Sequence, residues 1–582
     1  MKSFLKTIFA SMFGFFLAIF FIIIFIVIIM VASGGKEELF IKKNTVLHLK
    51  LDHEIPDRSS KSPLDDLDFG DFSSHVGLNE MLESIDKASR DENISGIFLD
   101  LSNVNAGFAT IEEIRNALIA FKKSGKFVYA YAEVYPQPAY YLASAADKIY
   151  LHPGGLAELK GLRSELLFFK GTLDKLGIES QVFRHGKYKS AVEPFIQDKL
   201  SNENREQIRT FIGSIWKNML KGISESRKIS EERLKEIADK LLVTNASEAK
   251  DCKLVDETLY RDQVLEIIQK KTASESIQKI NFVSLDSYRN AKDNKEKGIE
   301  KIAVVYAEGD IVDGQGKDDQ VGSVEFSKAI RKARLDDKVK AVVLRINSPG
   351  GSALASETIW REIVLLRKIK PVIVSMGNLA ASGGYYIACE ADTIVAQPNT
   401  ITGSIGVFGL FFNTKGLINK MGISVDTVKT TPYADILSQT RAVTPAESLI
   451  VQREIERIYD DFITRVAQGR KMSKAEVDSI AQGRVWSGAD AKRLKLVDVF
   501  GGLETAISIA AKKAKLTKYR IQELPFKEDP FEKIISQLIG GDKEEEAIEE
   551  MLGQGYTYFK HYSSLAKMKS YQTRLPYNIS LY

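Results

Sequence analysis

Apolar residues along this chain fall into three patterns. From Phe15 to Ala32 they run almost unbroken, and no charged residue occurs from Thr7 to Gly35. That length suits a bilayer span better than the roughly 7 to 15 apolar residues of a secretory signal. Lys2 and Lys6 precede the run, so the positive-inside tendency puts the first residues in the cytoplasm and the chain after Lys36 on the other side. Ala32-Ser33-Gly34-Gly35 is the sequence that a cleaved signal would offer instead. The second pattern is short apolar runs that read as strands: Leu47 to Leu51, Ile94 to Leu101, Phe127 to Ala132 and Lys148 to Leu151. The third is helical spacing, at Gly77 to Ser89, Ile111 to Lys122 and Tyr140 to Ala146, and later at Gln207 to Ile223 and Pro445 to Arg470. Strands that alternate with helices predict parallel sheets joined by crossovers, an α/β fold.

The pattern occurs twice. AYYLASAADKIYLHP (Ala139 to Pro153) matches GYYIACEADTIVAQP (Gly384 to Pro398) at seven of fifteen positions, 245 residues apart. The same offset lays GIFLDL (Gly96 to Leu101) on AVVLRI (Ala341 to Ile346) and Leu176-Gly177-Ile178 on Met421-Gly422-Ile423. Ser287 to Lys301 is charged and poor in apolar residues, as a linker would be. The expected organisation is a cytoplasmic tip and anchor (1–35), a first repeat (36–290), a second repeat (291–525) and a tail (526–582). In the tail, an acidic run from Asp542 to Glu550 and the aromatics Tyr556, Tyr558 and Phe559 read as a solvated helix and a flexible end.

Charge and cysteine content remove some function classes. Lysine plus arginine number 81 against 77 acidic residues, and the excess of +4 is spread along the chain, which argues against a nucleic-acid partner. The two cysteines, Cys252 and Cys389, lie in no zinc-type spacing; they read as thiols, with a single disulfide between them left open. No cofactor or metal is expected.

The chemistry concentrates between Val343 and Tyr385. One apolar run stops at Pro349-Gly350-Gly351; the next, Pro371 to Ser375, is expected to turn at Met376-Gly377-Asn378, shortly before Ala381-Ser382-Gly383-Gly384. Glycines beside a small hydroxyl residue let backbone N–H groups approach a reacting oxygen, so Ser382 is a candidate nucleophile. A plain helix N-cap is the competing reading. Under the 245-residue offset Ser382 faces Gln137, and Gly350-Gly351 faces Asn105-Ala106, so the first repeat has neither hydroxyl nor glycine turns. Its own unusual stretch is Arg184 to Phe195, where Lys189 faces Ala434 of the second repeat. A serine needs a base. Of the six histidines, His48, His53, His75, His152, His185 and His561, only His185 lies near a suggestive motif. A lysine serves if an apolar setting lowers its pKa, and Lys189, before Ser190-Ala191-Val192, is better placed for burial than Lys187 beside a glycine. Residue type alone does not choose among these.

Taken together, NSPGG (347–351), AASGGYY (380–386), ITGSIGVFG (Ile401 to Gly409) and GKYKSAVEPF (186–195) resemble the membrane-anchored bacterial signal peptide peptidase family in its long, protease IV form. The resemblance covers nearly the whole chain, the tail after about Glu523 least. It implies a tandem duplication of a crotonase/ClpP-like domain, with Ser382 as nucleophile, Lys189 as general base, Ser404 orienting the lysine, and the N–H groups of Gly351 and Gly383 as oxyanion hole. It further implies a homotetramer that opens towards the membrane lipid, and cleavage of signal peptides and other apolar peptides at the outer face of the inner membrane. Leu379 to Ala381 and Ile405 to Phe408 are the expected pocket lining. A crotonase-like acyl-CoA enzyme, which shares the glycine-turn logic, and a non-catalytic membrane scaffold are the alternatives.

Overall fold

A computed structural model describes residues 11, 13–18, 21, 40–59, 76–293, 298–317, 319–525 and 572–574. The expected anchor at Phe15 to Ala32, the acidic run and the tail aromatics lie largely or wholly outside the described residues. Among the described residues no helix is long and apolar enough to cross a membrane.

The first repeat builds a six-stranded sheet in which every pairing is parallel, from Thr45–Lys50, Ile94–Asp100, Phe127–Tyr135, Lys148–Ala157, Glu257–Thr258 and Phe282–Ser284. Parallel strands are buried on both faces, which is why they read as continuous apolar runs. Leu47, Ile97, Leu99 and Val128 pack under Ile111, Ile114 and Leu118 of helix Phe108–Lys122. The alternate residues Val46, Phe98 and Tyr131 pack on Val264 and Ile268 of helix Arg261–Thr272. The second repeat does the same with an eight-stranded sheet centred on Lys301–Glu308, Val339–Ser348 and Val372–Ala381. Here Val342, Leu344 and Val374 meet Ile359 and Ile363 of helix Ala353–Arg367, and Val304 and Val343 meet Ala506 and Ala510 of helix Leu503–Lys513.

The duplication is visible in the element starts. Ile94, Phe108, Phe127 and Lys148 open elements whose counterparts open at Val339, Ala353, Val372 and Thr393, each 245 residues later. A third sheet is shared between the repeats: Glu179–His185 of the first pairs antiparallel with Val407–Asn413 of the second.

Four expectations need correction. The strand from Val372 does not turn at Met376-Gly377-Asn378 but continues to Ala381. Gly377 is there for closeness: a Cβ on it would stand 3.2 Å from Asn347 Cγ and 3.4 Å from an Arg345 guanidinium nitrogen. The helix expected at Tyr140 to Ala146 lies at Gln137–Ala143, because Pro138 suits a first helical turn. The linker stretch begins inside helix Leu285–Arg289 and ends on Lys301, the first residue of a strand. Of the tail, Gln572–Arg574 is a buried strand in the shared sheet, not a flexible end.

Candidate active site

Ser382 stands where strand Val372–Ala381 hands over to helix Gly383–Ala388, with φ 54° and ψ −114°. That region is sparsely populated by L-residues and is held by context, here by the Ser382 N–H donating to Gly403 O at 2.8 Å. Its side chain makes no cap hydrogen bond, so the N-cap reading does not account for it. The hydroxyl oxygen instead stands at hydrogen-bond distance, 2.8 Å, from Lys189 Nζ, within one chain. Lys189 also donates to Ser404 Oγ and to Ser404 O, each at 3.0 Å. All three residues are 0 % exposed.

The lysine comes from a loop pinned on both sides. Tyr188 N donates to Gln482 O at 2.9 Å, and the buried Gln207 amide donates to Tyr188 O and Ser190 Oγ while its oxygen accepts from Val485 N. The aliphatic stem runs between two glycines: a Cβ on Gly406 would stand 3.2 Å from Lys189 Cδ, and one on Gly483 2.6 Å from Lys189 Cβ. Gly483, with φ +78°, also needs the left-handed region itself. Burial pushes the Lys189 amine well below its ordinary pKa of 10.5. Among the described residues no carboxylate lies within ion-pair distance of it to restore the charge.

Gly350, with φ +97°, and Gly383 bring the two turns together; a Cβ on Gly350 would stand 2.6 Å from Gly383 N. Gly351 lies in strand Gly350–Ser352, beside them. Ser382, Lys189, Ser404, Gly351 and Gly383 therefore occupy one neighbourhood. His185 does not join them through its ring, which is stacked on Tyr459 with centroids 3.7 Å apart and paired with Glu456; Lys187 is exposed. Ile405, Val407 and Phe408 are buried beside the lysine loop or in the shared sheet. Cys252 and Cys389 are free thiols with no disulfide between them, and burial pushes the Cys389 thiol far up. No cluster of metal-ligating side chains occurs among the described residues.

Sequence reading missed the parts that hold the lysine. Gly406, Gly483 and Gln207 carry no signal of their own, although Gly406 falls inside the ITGSIGVFG motif.

Peptidase family S49 matches the chain twice, at residues 120–274 and 365–517. Protease 4 of Salmonella typhi is 42% identical over 465 residues, 78% of this chain and 75% of that one. Protease 4 of Haemophilus influenzae is 38% identical, over 82% of this chain and 80% of that one. Serine protease SPPA, chloroplastic, of Arabidopsis thaliana is 34% identical over 82% of this chain and 70% of that one. Among solved structures, a ClpP1 mutant from Listeria monocytogenes aligns at 16% identity and TM-score 0.23, over 35% of this chain and 94% of that one, too loosely to bear on the fold. With two family matches and relatives aligned over most of their length, the chain belongs to peptidase family S49, as a serine protease of the long, tandem protease 4 form.

Proposed function

We propose that this protein is a membrane-anchored endopeptidase whose nucleophile is Ser382 and whose general base is Lys189. The observation that carries the reading is a fully buried amine 2.8 Å from a fully buried serine hydroxyl, with no carboxylate among the described residues to keep it charged. A neutral Lys189 donates its two N–H groups to Ser404 Oγ and O, accepts the Ser382 hydroxyl on its lone pair and takes that proton as Oγ attacks a peptide carbonyl. The N–H groups of Gly351 and Gly383 stabilise the oxyanion, and the lysinium returns the proton to the leaving amine as the C–N bond breaks. Water, deprotonated by the same lysine, then frees the acyl group and restores Ser382. Ser404 holds the amine on line through its hydroxyl and carbonyl.

The substrates of this reading are cleaved signal peptides and other short apolar peptides, met at the outer face of the inner membrane. The apolar run Phe15 to Ala32, with Lys2 and Lys6 before it, supports that placement. A crotonase/ClpP-like domain for each repeat is part of the same reading. Self-association, to a homotetramer, is supported by exposed apolar residues at one matching place in the two repeats, Leu176 in the first and Met421 in the second, and by Ile423 and Val428, exposed in the second repeat. The test is cleavage of a fluorogenic apolar peptide by the natural protein and by Ser382→Ala and Lys189→Met. Loss of turnover in both, with folded protein by circular dichroism, supports the dyad; full turnover in either overturns it.

A further inference from the structure

Strand Gly350–Ser352 forms one wall of a slot, and Val407–Asn413 forms the other. Between them lies Gln572–Arg574, antiparallel to the first wall, with Thr573 opposite Gly351 and Arg574 opposite Gly350, while Gln572 lies opposite Phe408 of the second. Thr573 Oγ1 donates to Gly351 O at 3.3 Å, and Gln572, Thr573 and Arg574 are all buried. The Thr573 carbonyl faces both glycine turns: a Cβ would stand 2.1 Å from its oxygen if added to Gly350 and 2.9 Å if added to Gly383. An extended segment that completes a sheet is recognised by its main chain whatever its sequence, and side-chain pockets then confer preference.

One such pocket is filled. The Arg574 guanidinium pairs with Asp310 at 2.9 Å and is almost wholly buried. Asp310 opens strand Asp310–Val312, and its neighbour Ile311 pairs with Gly351, so Asp310 is level with Gly350 and with Arg574 across the sheet. Arg574 follows the carbonyl that faces the two turns.

We propose that Gln572–Arg574 lies where a substrate strand lies, with the bond after Thr573 offered to Ser382, and that Asp310 selects an arginine or lysine immediately after the cleaved bond. This rests on the peptidase reading of Ser382 and Lys189. Buried charge-assisted pairs are strong and their loss is costly, so the preference should be visible in turnover.

Four internally quenched peptides, identical except for Arg, Lys, Leu or Glu after a central Thr, test the assignment. Cleavage after the Thr is located by mass spectrometry and kcat/KM is compared within each enzyme. The chain's own tail competes with all four peptides alike, so ratios between peptides do not depend on it. The natural protein should favour Arg and Lys over Glu by about tenfold or more. Asp310→Asn should bring that ratio towards one, and Asp310→Lys should reverse it. Equal rates in the natural protein, or an Arg preference that survives Asp310→Asn, would overturn the role of Asp310. Ser382→Ala separates the two levels: cleavage by that variant sinks the peptidase reading, whereas Ser382-dependent cleavage without charge preference sinks only the pocket.

Discussion

Two cations are completely buried where the repeats meet, and the protein treats them in opposite ways. Arg345 comes from the second repeat and enters a cage supplied by the first: it donates to Asp57 Oδ1 at 2.7 and 3.0 Å and to Glu113 Oε1 at 2.8 Å, with Ser375 Oγ at 2.9 Å. Lys189 comes from the first repeat and enters a site supplied by the second, but its partners are two hydroxyls and a carbonyl. Burial works against charge in both. At Arg345 the two carboxylates more than offset it and hold the guanidinium above its ordinary range; at Lys189 no carboxylate among the described residues does, and the amine is pushed down. The first arrangement makes a structural clamp; the second is what the proposed general base requires. The choice of residue fits, since guanidinium does not give up its proton in proteins and an ammonium does.

The largest expected effect lies on the catalytic side of this comparison. Lys189→Met and Ser382→Ala should each lower kcat/KM for a fluorogenic peptide by a thousandfold or more, on the order of general-base catalysis lost together with the nucleophile it activates. Lys189→Arg should be as inactive as Lys189→Met, because it restores a cation and not a base. Wild-type turnover in Lys189→Arg would break the distinction.

Stability should reverse the order. Arg345→Met leaves Asp57 and Glu113 buried without their partner and should cost about 3–5 kcal/mol in urea unfolding. Lys189→Met removes a group that is expensive to bury, but leaves the Ser382 and Ser404 hydroxyls and the Ser404 carbonyl without their partner, so it should lower the unfolding midpoint clearly less than Arg345→Met does. Equal destabilisation by the two changes would mean that Lys189, too, is held as a charge.

A smaller effect is expected at Ser404. Its hydroxyl is one of two Ser404 acceptors for the amine, so Ser404→Ala should reduce kcat by roughly tenfold, the value of one hydrogen bond, and leave KM nearly unchanged. A change in KM alone would assign Ser404 to substrate binding.

The smallest effect is the pH dependence of stability. The folded-state pKa of Lys189 lies below its unfolded value of 10.5, so the unfolded chain binds more protons between the two. The cost of burying Lys189 is absent above pH 10.5, grows as pH falls and levels off below the lowered pKa. The stability of Lys189→Met relative to the natural protein should therefore fall as pH rises towards 10.5, in parallel urea titrations.

Much of this was legible in the chain because a duplication carries its own control. An offset that puts Ser382 against Gln137 and Lys189 against Ala434 marks both as departures from the shared fold, which helix or strand patterning alone does not. The parallel strands were legible because burial on both faces makes them apolar throughout. The clamp was not: Asp57, Glu113 and Arg345 look like ordinary charged residues until two sheets are apposed. Gly377 illustrates the same limit, since a glycine needed for close approach to Asn347 is indistinguishable in sequence from one needed for a turn. Least legible was Gln572–Arg574, three polar residues without alternation, which become a strand only because Gly350–Ser352 and Val407–Asn413 leave a place between them.

The central claim is that an uncharged Lys189 activates Ser382. Its most direct test is the pH dependence of covalent labelling of Ser382 by a fluorophosphonate, in the natural protein and in Lys189→Arg. The labelling rate should rise with pH through a pKa well below 10.5 in the natural protein and be nearly abolished at every pH in the variant. Labelling of the variant at the natural rate, or a rate in the natural protein that climbs only near 10.5, would contradict the account.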